Sequence, residues 1–156
     1  MNDTREPLAV SLFSELFMAD QLAKTLLSRA LPKGMELSHF SVLNHLAHVQ
    51  DERTPAQLAD AFHVTRGAMT NTLSKLELAG YIHIRPDWDD ARRKRVHISQ
   101  SGVQARDAAL RAVSPVIMEL VEEVGVKEVR SALPILRALR VKLTSTESGA
   151  KVSKSA

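Results

Sequence analysis

The chain is 156 residues long, enough for one compact domain and short for two. Its formal charge is +3, it has no cysteine, and aromatic residues make up only 4% of it. Disulfides, thiolate catalysis and a thiol redox switch are thereby excluded, and abundant helix formers point to a nearly all-α architecture. No apolar run approaches the ~18 residues of a membrane span, and the opening MNDTREPLAV lacks the basic flank and apolar stretch of a signal peptide. A cytoplasmic protein with no membrane partner is expected.

In chain order, Leu8, Leu12, Leu16, Ala19, Ala23 and Leu27 recur at helical spacing over Leu8 to Leu31, flanked by Phe13, Phe17, Leu22 and Leu26. That apolar face is too broad for one small core. Pro32 and Gly34 end the helix. A second helix, through Val49, is expected to start with Ser38 as its cap and a Leu37–Val42 staple. It carries His39, His45 and His48, spaced so that two imidazoles could reach one metal. No second cluster and no cysteine supplies the remaining ligands, so neither a metal nor a cofactor is expected.

Thr54-Pro55-Ala56-Gln57 combines a threonine cap, a proline at N1 and a glutamine at N3, the pattern of a capping box. The helix it opens sends Leu58, Ala59 and Phe62 inward and breaks at His63-Val64-Thr65. Thr65 caps the next helix, which ends at Gly80, where a left-handed residue and Tyr81 packing on Leu76 make a Schellman motif. Met69, Leu73 and Leu76 form its apolar stripe. The opposite face offers Arg66, Gly67, Thr70, Asn71, Ser74 and Lys75, with Thr65 and Ala68 at the helix start. These suit a major groove, since arginine pairs with guanine, asparagine with adenine, and threonine or alanine touches a thymine methyl. A merely solvated helix face is the bland alternative, and the capped pair with its basic ribbon outweighs it.

Ile82 and Ile84, then Val96 and Ile98, alternate with polar residues on both sides of a turn, which predicts a hairpin with one buried face. Its tip, DWDDARRKR, mixes Asp87, Asp89 and Asp90 with Arg92, Arg93, Lys94 and Arg95. Carboxylates beside phosphates make sense if one of them orients an arginine, and Asp90 is expected to hold Arg92 for entry into a minor groove. Arg93 and Arg95 are further candidates for DNA contact. From Arg53 to His97 there are eight Lys/Arg against five Asp/Glu, so the excess charge lies in this region.

Gln100 to Val124 and Lys127 to about Thr144 read as two more helices, separated by Gly125, with Pro115 expected to kink the first or start a new one and Pro134 inside the second. Leu8, Leu12 and Leu16, with Ile117, Leu120, Leu133, Leu136 and Leu139, are assigned to a homodimer interface, as are Val113, Val124 and Leu143. The alternative is an intrachain helix bundle. The organisation is therefore an N-terminal helix of the dimerisation region (1–36), a winged helix-turn-helix (37–99), C-terminal dimerisation helices (100–145) and a disordered polar tail (146–156).

The stretch from Leu37 to Gly102 resembles the MarR-type transcriptional regulators. The likeness rests on Leu37 to Leu43, Thr54 to Ala59, Val64 to Thr70, Leu76 to Ile82, Asp90-Ala91-Arg92 and Val96 to Gly102, in that order and spacing. It implies a homodimer on a pseudo-palindromic operator of double-stranded DNA, commonly a repressor, released by a small-molecule effector. It also implies a minor-groove role for the Asp90–Arg92 pair. An effector pocket between the dimer helices and the winged unit is expected to involve Phe17, His39 and Leu43. Trp88 departs from the family pattern, which has proline there.

Enzymatic function is not expected: no phosphate-binding loop, nucleophile elbow or zinc-peptidase motif is present. The remaining alternative is a winged helix used only for protein–protein contact. Such a module would show apolar or acidic residues where this helix shows Arg66, Thr70, Asn71 and Lys75.

Overall fold

Six helices and one hairpin follow one another along the structure, a computed structural model that describes residues 4–49 and 51–153. The first helix, α1 (Arg5–Ala30), ends where Leu31 turns extended ahead of Pro32, and it buries none of its own residues. The second, α2 (Leu37–His48), departs from expectation at its start. Glu36, not Ser38, holds the extended cap position, and no side chain caps the helix. The Glu36 carboxylate is instead drawn across to Lys75 and His39.

The capped pair forms as the sequence predicts. In α3 (Pro55–Ala61), Thr54 Oγ1 accepts the Gln57 N–H at 3.1 Å and Gln57 Oε1 accepts the Thr54 N–H at 2.9 Å, completing the capping box. His63 takes a φ of 52°, a left-handed conformation that lets the chain turn within three residues into α4 (Arg66–Leu78). Thr65 Oγ1 accepts the Ala68 N–H at 3.1 Å. At the far end Gly80 N–H bonds Glu77 O and Tyr81 N–H bonds Leu76 O, both at 2.9 Å, with Gly80 at φ 76°. That is the Schellman pattern.

The ribbon pairs β1 (Ile82–Pro86) antiparallel to β2 (Lys94–Ile98), in a register that sets Ile82 opposite Ile98 and Ile84 opposite Val96. Arg53 adds an isolated bridge to Val96, which the sequence pattern did not announce. Ile82 and Val96 close a core supplied by Val42, Leu43 and Leu46 of α2, Leu58 and Ala59 of α3, and Met69, Leu73 and Leu76 of α4. Each fully buried aliphatic side chain there stabilises the fold by about 1.5–3 kcal/mol. The helix α5 (Gln100–Val124) starts against this unit: Ser99 Oγ accepts the Gly102 N–H and donates to Gly80 O. A second cluster joins Leu31, Ala109 and Val113. Val113, expected at a dimer interface, is therefore a core residue, because it faces the end of α1 at Leu27 and Leu31.

Contacts divide the chain into a unit ending at Ser114 and one beginning at Pro115, inside α5. The second unit holds the rest of α5 and α6 (Val126–Ser153), with Gly125 between them and Pro134 inside α6. The helix α6 overruns its expected end near Thr144, and residues 146–153 are helical, contrary to the disordered tail expected from 146. Hydroxyls bonded back to helix carbonyls satisfy this polar stretch locally: Thr144 to Arg140 O, and Ser145 and Thr146 to Lys142 O. The last part of the expected tail, 154–156, lies outside the described residues.

Of the residues assigned to a dimer interface, Leu8, Leu12, Ile117, Leu120, Leu133 and Leu136 are exposed in the single chain, and Leu16 and Leu139 are half-buried. Among the described residues no helix is long and apolar enough to cross a membrane.

Candidate nucleic-acid interface

The helix α4 is fixed by the burial of Met69, Leu73 and Leu76 on one side. Its other side therefore presents Arg66, Gly67, Ala68, Thr70, Asn71 and Ser74, all exposed. A concavity of about 590 Å³ opens between this helix and the wing, lined by Arg66 and Thr70, by Arg92, Arg93, Lys94 and Arg95, and by Thr54 to Gln57 at the start of α3. Two parts of the predicted site thus come together although they lie far apart in the chain. Lys94 and the start of α3 were missed as site residues. Lys94 was signalled by its place in the basic run, whereas nothing local marked α3.

The tip is ordered by its acids. Arg92 donates to Asp90 Oδ1 through Nε at 3.3 Å and through its backbone N–H at 3.1 Å, while its side chain stays 92% exposed. Asp90 therefore holds the base of Arg92 and leaves it projecting. Arg93 Nε lies 3.8 Å from Asp90 Oδ2. Asp87, for which no orienting role was foreseen, accepts from Arg95 at 2.8 Å. The Asp89 backbone N–H bonded to Asp87, aided by Arg95, holds its carboxyl below the usual carboxylate range. Trp88 stands 88% exposed, with the Arg85 guanidinium 5.7 Å from its ring centre.

Lys75 falls elsewhere than expected. Its Nζ lies 3.3 Å from Glu36 Oε1, and it lines a separate cavity of about 410 Å³ together with His39, Lys33, Met35, Tyr81 and Ala105. Being near the end of α4, it is carried away from the wing toward the start of α2. His39 is buried, and its Nε2 makes no hydrogen bond, with Glu36 Oε2 3.7 Å away. Burial lowers its pKa, Glu36 opposes that shift and Lys75 adds to it. Phe17 and Leu43 do not join His39 there. Phe17 is exposed and packs on Phe13 at 6.1 Å, because that stretch of α1 has no core beneath it, and Leu43 is a fully buried core residue.

His45 sits edge-on to Phe62, and His48 Nδ1 lies 2.6 Å from Asn44 O. Among the described residues no three metal-ligating side chains form a group that could hold an ion.

A capped helix pair running into a basic two-stranded wing defines a winged helix-turn-helix protein. Residues 33–93 match the MarR family model. Among solved structures, S. aureus MepR complexed with DNA is similar at a TM-score of 0.74 and 25% identity, over 84% of this chain and 97% of MepR. A mutant of E. coli MarR complexed with operator DNA gives 0.76 and 23%, over 84% and 94%. The regulator BldR from Sulfolobus solfataricus gives 0.73 and 24%, over 88% and 99%. No protein of curated function matches the sequence.

Proposed function

We propose that this protein is a cytoplasmic homodimeric repressor that binds a pseudo-palindromic operator and leaves it when a small effector binds. The observation that carries this reading is the concavity that puts Arg66 and Thr70 of α4 beside Arg92 to Arg95 of the wing. In this reading the start of α4 enters a major groove, where Thr65, Arg66, Gly67, Ala68, Thr70, Asn71 and Ser74 meet base edges and phosphates. Arg92, held at its base by Asp90, reaches the flanking minor groove. MepR and MarR, similar in fold, are seen bound to DNA.

Dimerisation is supported by the exposed leucines of α1, α5 and α6, which leave apolar surface that a second copy would cover. The effector step is supported by the His39 cavity. Lys75 reaches it from α4 itself, so a ligand that disturbs the Lys75–Glu36 pair acts directly on the reading helix.

Arg66→Ala and Arg92→Ala test the DNA-reading claim. Each is expected to weaken duplex binding about tenfold or more at constant salt, with melting temperature unchanged because both side chains are exposed. Undiminished binding by the double variant would contradict it.

A further inference from the structure

Arg85 and Arg95 face each other directly across the ribbon, and like charges in that position destabilise a strand pair. Each guanidinium has its own carboxylate from outside the pair. Glu52, in the segment ahead of α3, takes Arg85 through two bonds, Nε to Oε1 at 3.2 Å and Nη2 to Oε2 at 2.6 Å. Asp87 takes Arg95 through Oδ2, at 2.8 Å from both Nε and Nη2. Its other oxygen accepts the Asp89 N–H, and its own N–H bonds Arg93 O at 2.9 Å. The Asp87 side chain is only 10% exposed. Asp89, by contrast, is exposed, and its carboxylate makes no hydrogen bond or ion pair among the described residues.

We propose that Glu52 and Asp87 are positioning residues for DNA binding, which set the angle of the wing by Arg85 and the shape of its tip by Arg95, leaving Arg92, Arg93 and Lys94 to the DNA. This rests on the DNA-reading function proposed above. Glu52 braces the tip end of the ribbon, at the Arg85–Arg95 rung, against the segment ahead of α3, so it fixes where the wing stands relative to the helix pair. Asp87 ties both strands at the tip, beside the Arg92 loop. The two acids act on the two sides of one rung: they occupy its two arginines and so aim the other cations.

The sign of a charge-neutralising substitution separates this role from simple electrostatics. If the tip acted only through its total charge, removing a carboxylate would tighten binding and steepen its salt dependence. A positioning role predicts the reverse.

The experiment uses the full chain and a duplex recovered by selection from a random library, compared for the wild type, Asp87→Asn, Glu52→Gln and, as the matched charge change, Asp89→Asn. Failure of the wild type to select any duplex would overturn the DNA-reading function itself. With wild-type binding in hand, Asp87→Asn and Glu52→Gln are each expected to weaken it about tenfold. Hydroxyl-radical protection should fade at the flanking minor grooves and persist at the major-groove centres, while Asp89→Asn binds as well as wild type or better. Combining Asp87→Asn with Arg95→Gln should bind no better than Asp87→Asn alone, although the pair of changes restores the wild-type net charge. Tighter or unchanged binding by both Asp87→Asn and Glu52→Gln, or recovery in the double variant, would overturn the proposal. So would a uniform loss of protection accompanied by a lower melting temperature in both variants, which marks a general structural role.

Discussion

Arg92 and Arg95 lie three residues apart in one basic run, yet their surroundings separate them. Arg92 is 92% exposed and meets Asp90 through its backbone N–H and Nε, with its Nη groups left unpaired among the described residues, whereas Arg95 is 31% exposed and gives both Nε and Nη2 to Asp87. Exposure and pairing, which residue type alone does not reveal, decide which cation is available to DNA. His39 poses the same question for pH. Its imidazole is buried between Glu36 and Lys75 beside Lys33, and burial holds its folded pKa below the ordinary 6.5. Above that value both folded and unfolded chains carry it neutral. As pH falls below it, the unfolded chain binds a proton more readily, so stability declines. His39→Asn is expected to lose this component. Thermal melts from about pH 7.5 to pH 5 should show a shallower decline in the variant than in the wild type, and equal slopes would contradict the assignment.

At the scale of elements, what was legible in the sequence is what local rules govern. The capping box, the Thr65 cap and the Schellman end each lie within a few consecutive residues, so the residues that make them are also the residues that spell them. Ser38 misled because one of the two partners that draw on Glu36 is not local: Lys75 is 39 positions away. The Glu52–Arg85 brace spans 33 positions and was invisible for the same reason. The His39 cavity was anticipated at one residue of three. Periodicity placed Phe17 and Leu43 on apolar faces, but it does not distinguish a face against a core from one left open. The junction of α4, the ribbon and α5 is the tightest of these arrangements. A Cβ at Gly102 would run into the Tyr81 carbonyl and come within 2.8 Å of Ile98 Cγ1. The Tyr81 carbonyl is held where it is, since it also accepts the Ser99 N–H. Gly102→Ala should therefore cost about 1–3 kcal/mol of stability, measured by chemical denaturation; a cost near zero would show that α5 shifts freely on the winged unit.

Across the whole molecule, one chain leaves apolar side chains open along α1, α5 and α6, with Leu8 70% and Leu136 44% exposed. In the proposed dimer a second copy would cover them and supply the second reading helix that a short site needs. Equilibrium sedimentation should give twice the mass of one chain, and Leu133→Glu with Leu136→Glu should shift it toward a monomer that binds DNA weakly. A dimer insensitive to both changes would move the interface elsewhere. The most direct test of the central claim is selection of bound duplexes from a random-sequence library by the full chain at near-physiological salt. An inverted repeat is predicted, with half-site centres about one helical turn, ~34 Å, apart. Recovery of no preferred sequence, with weak binding that disappears as salt rises, would contradict specific operator recognition and leave only attraction between a basic surface and a polyanion.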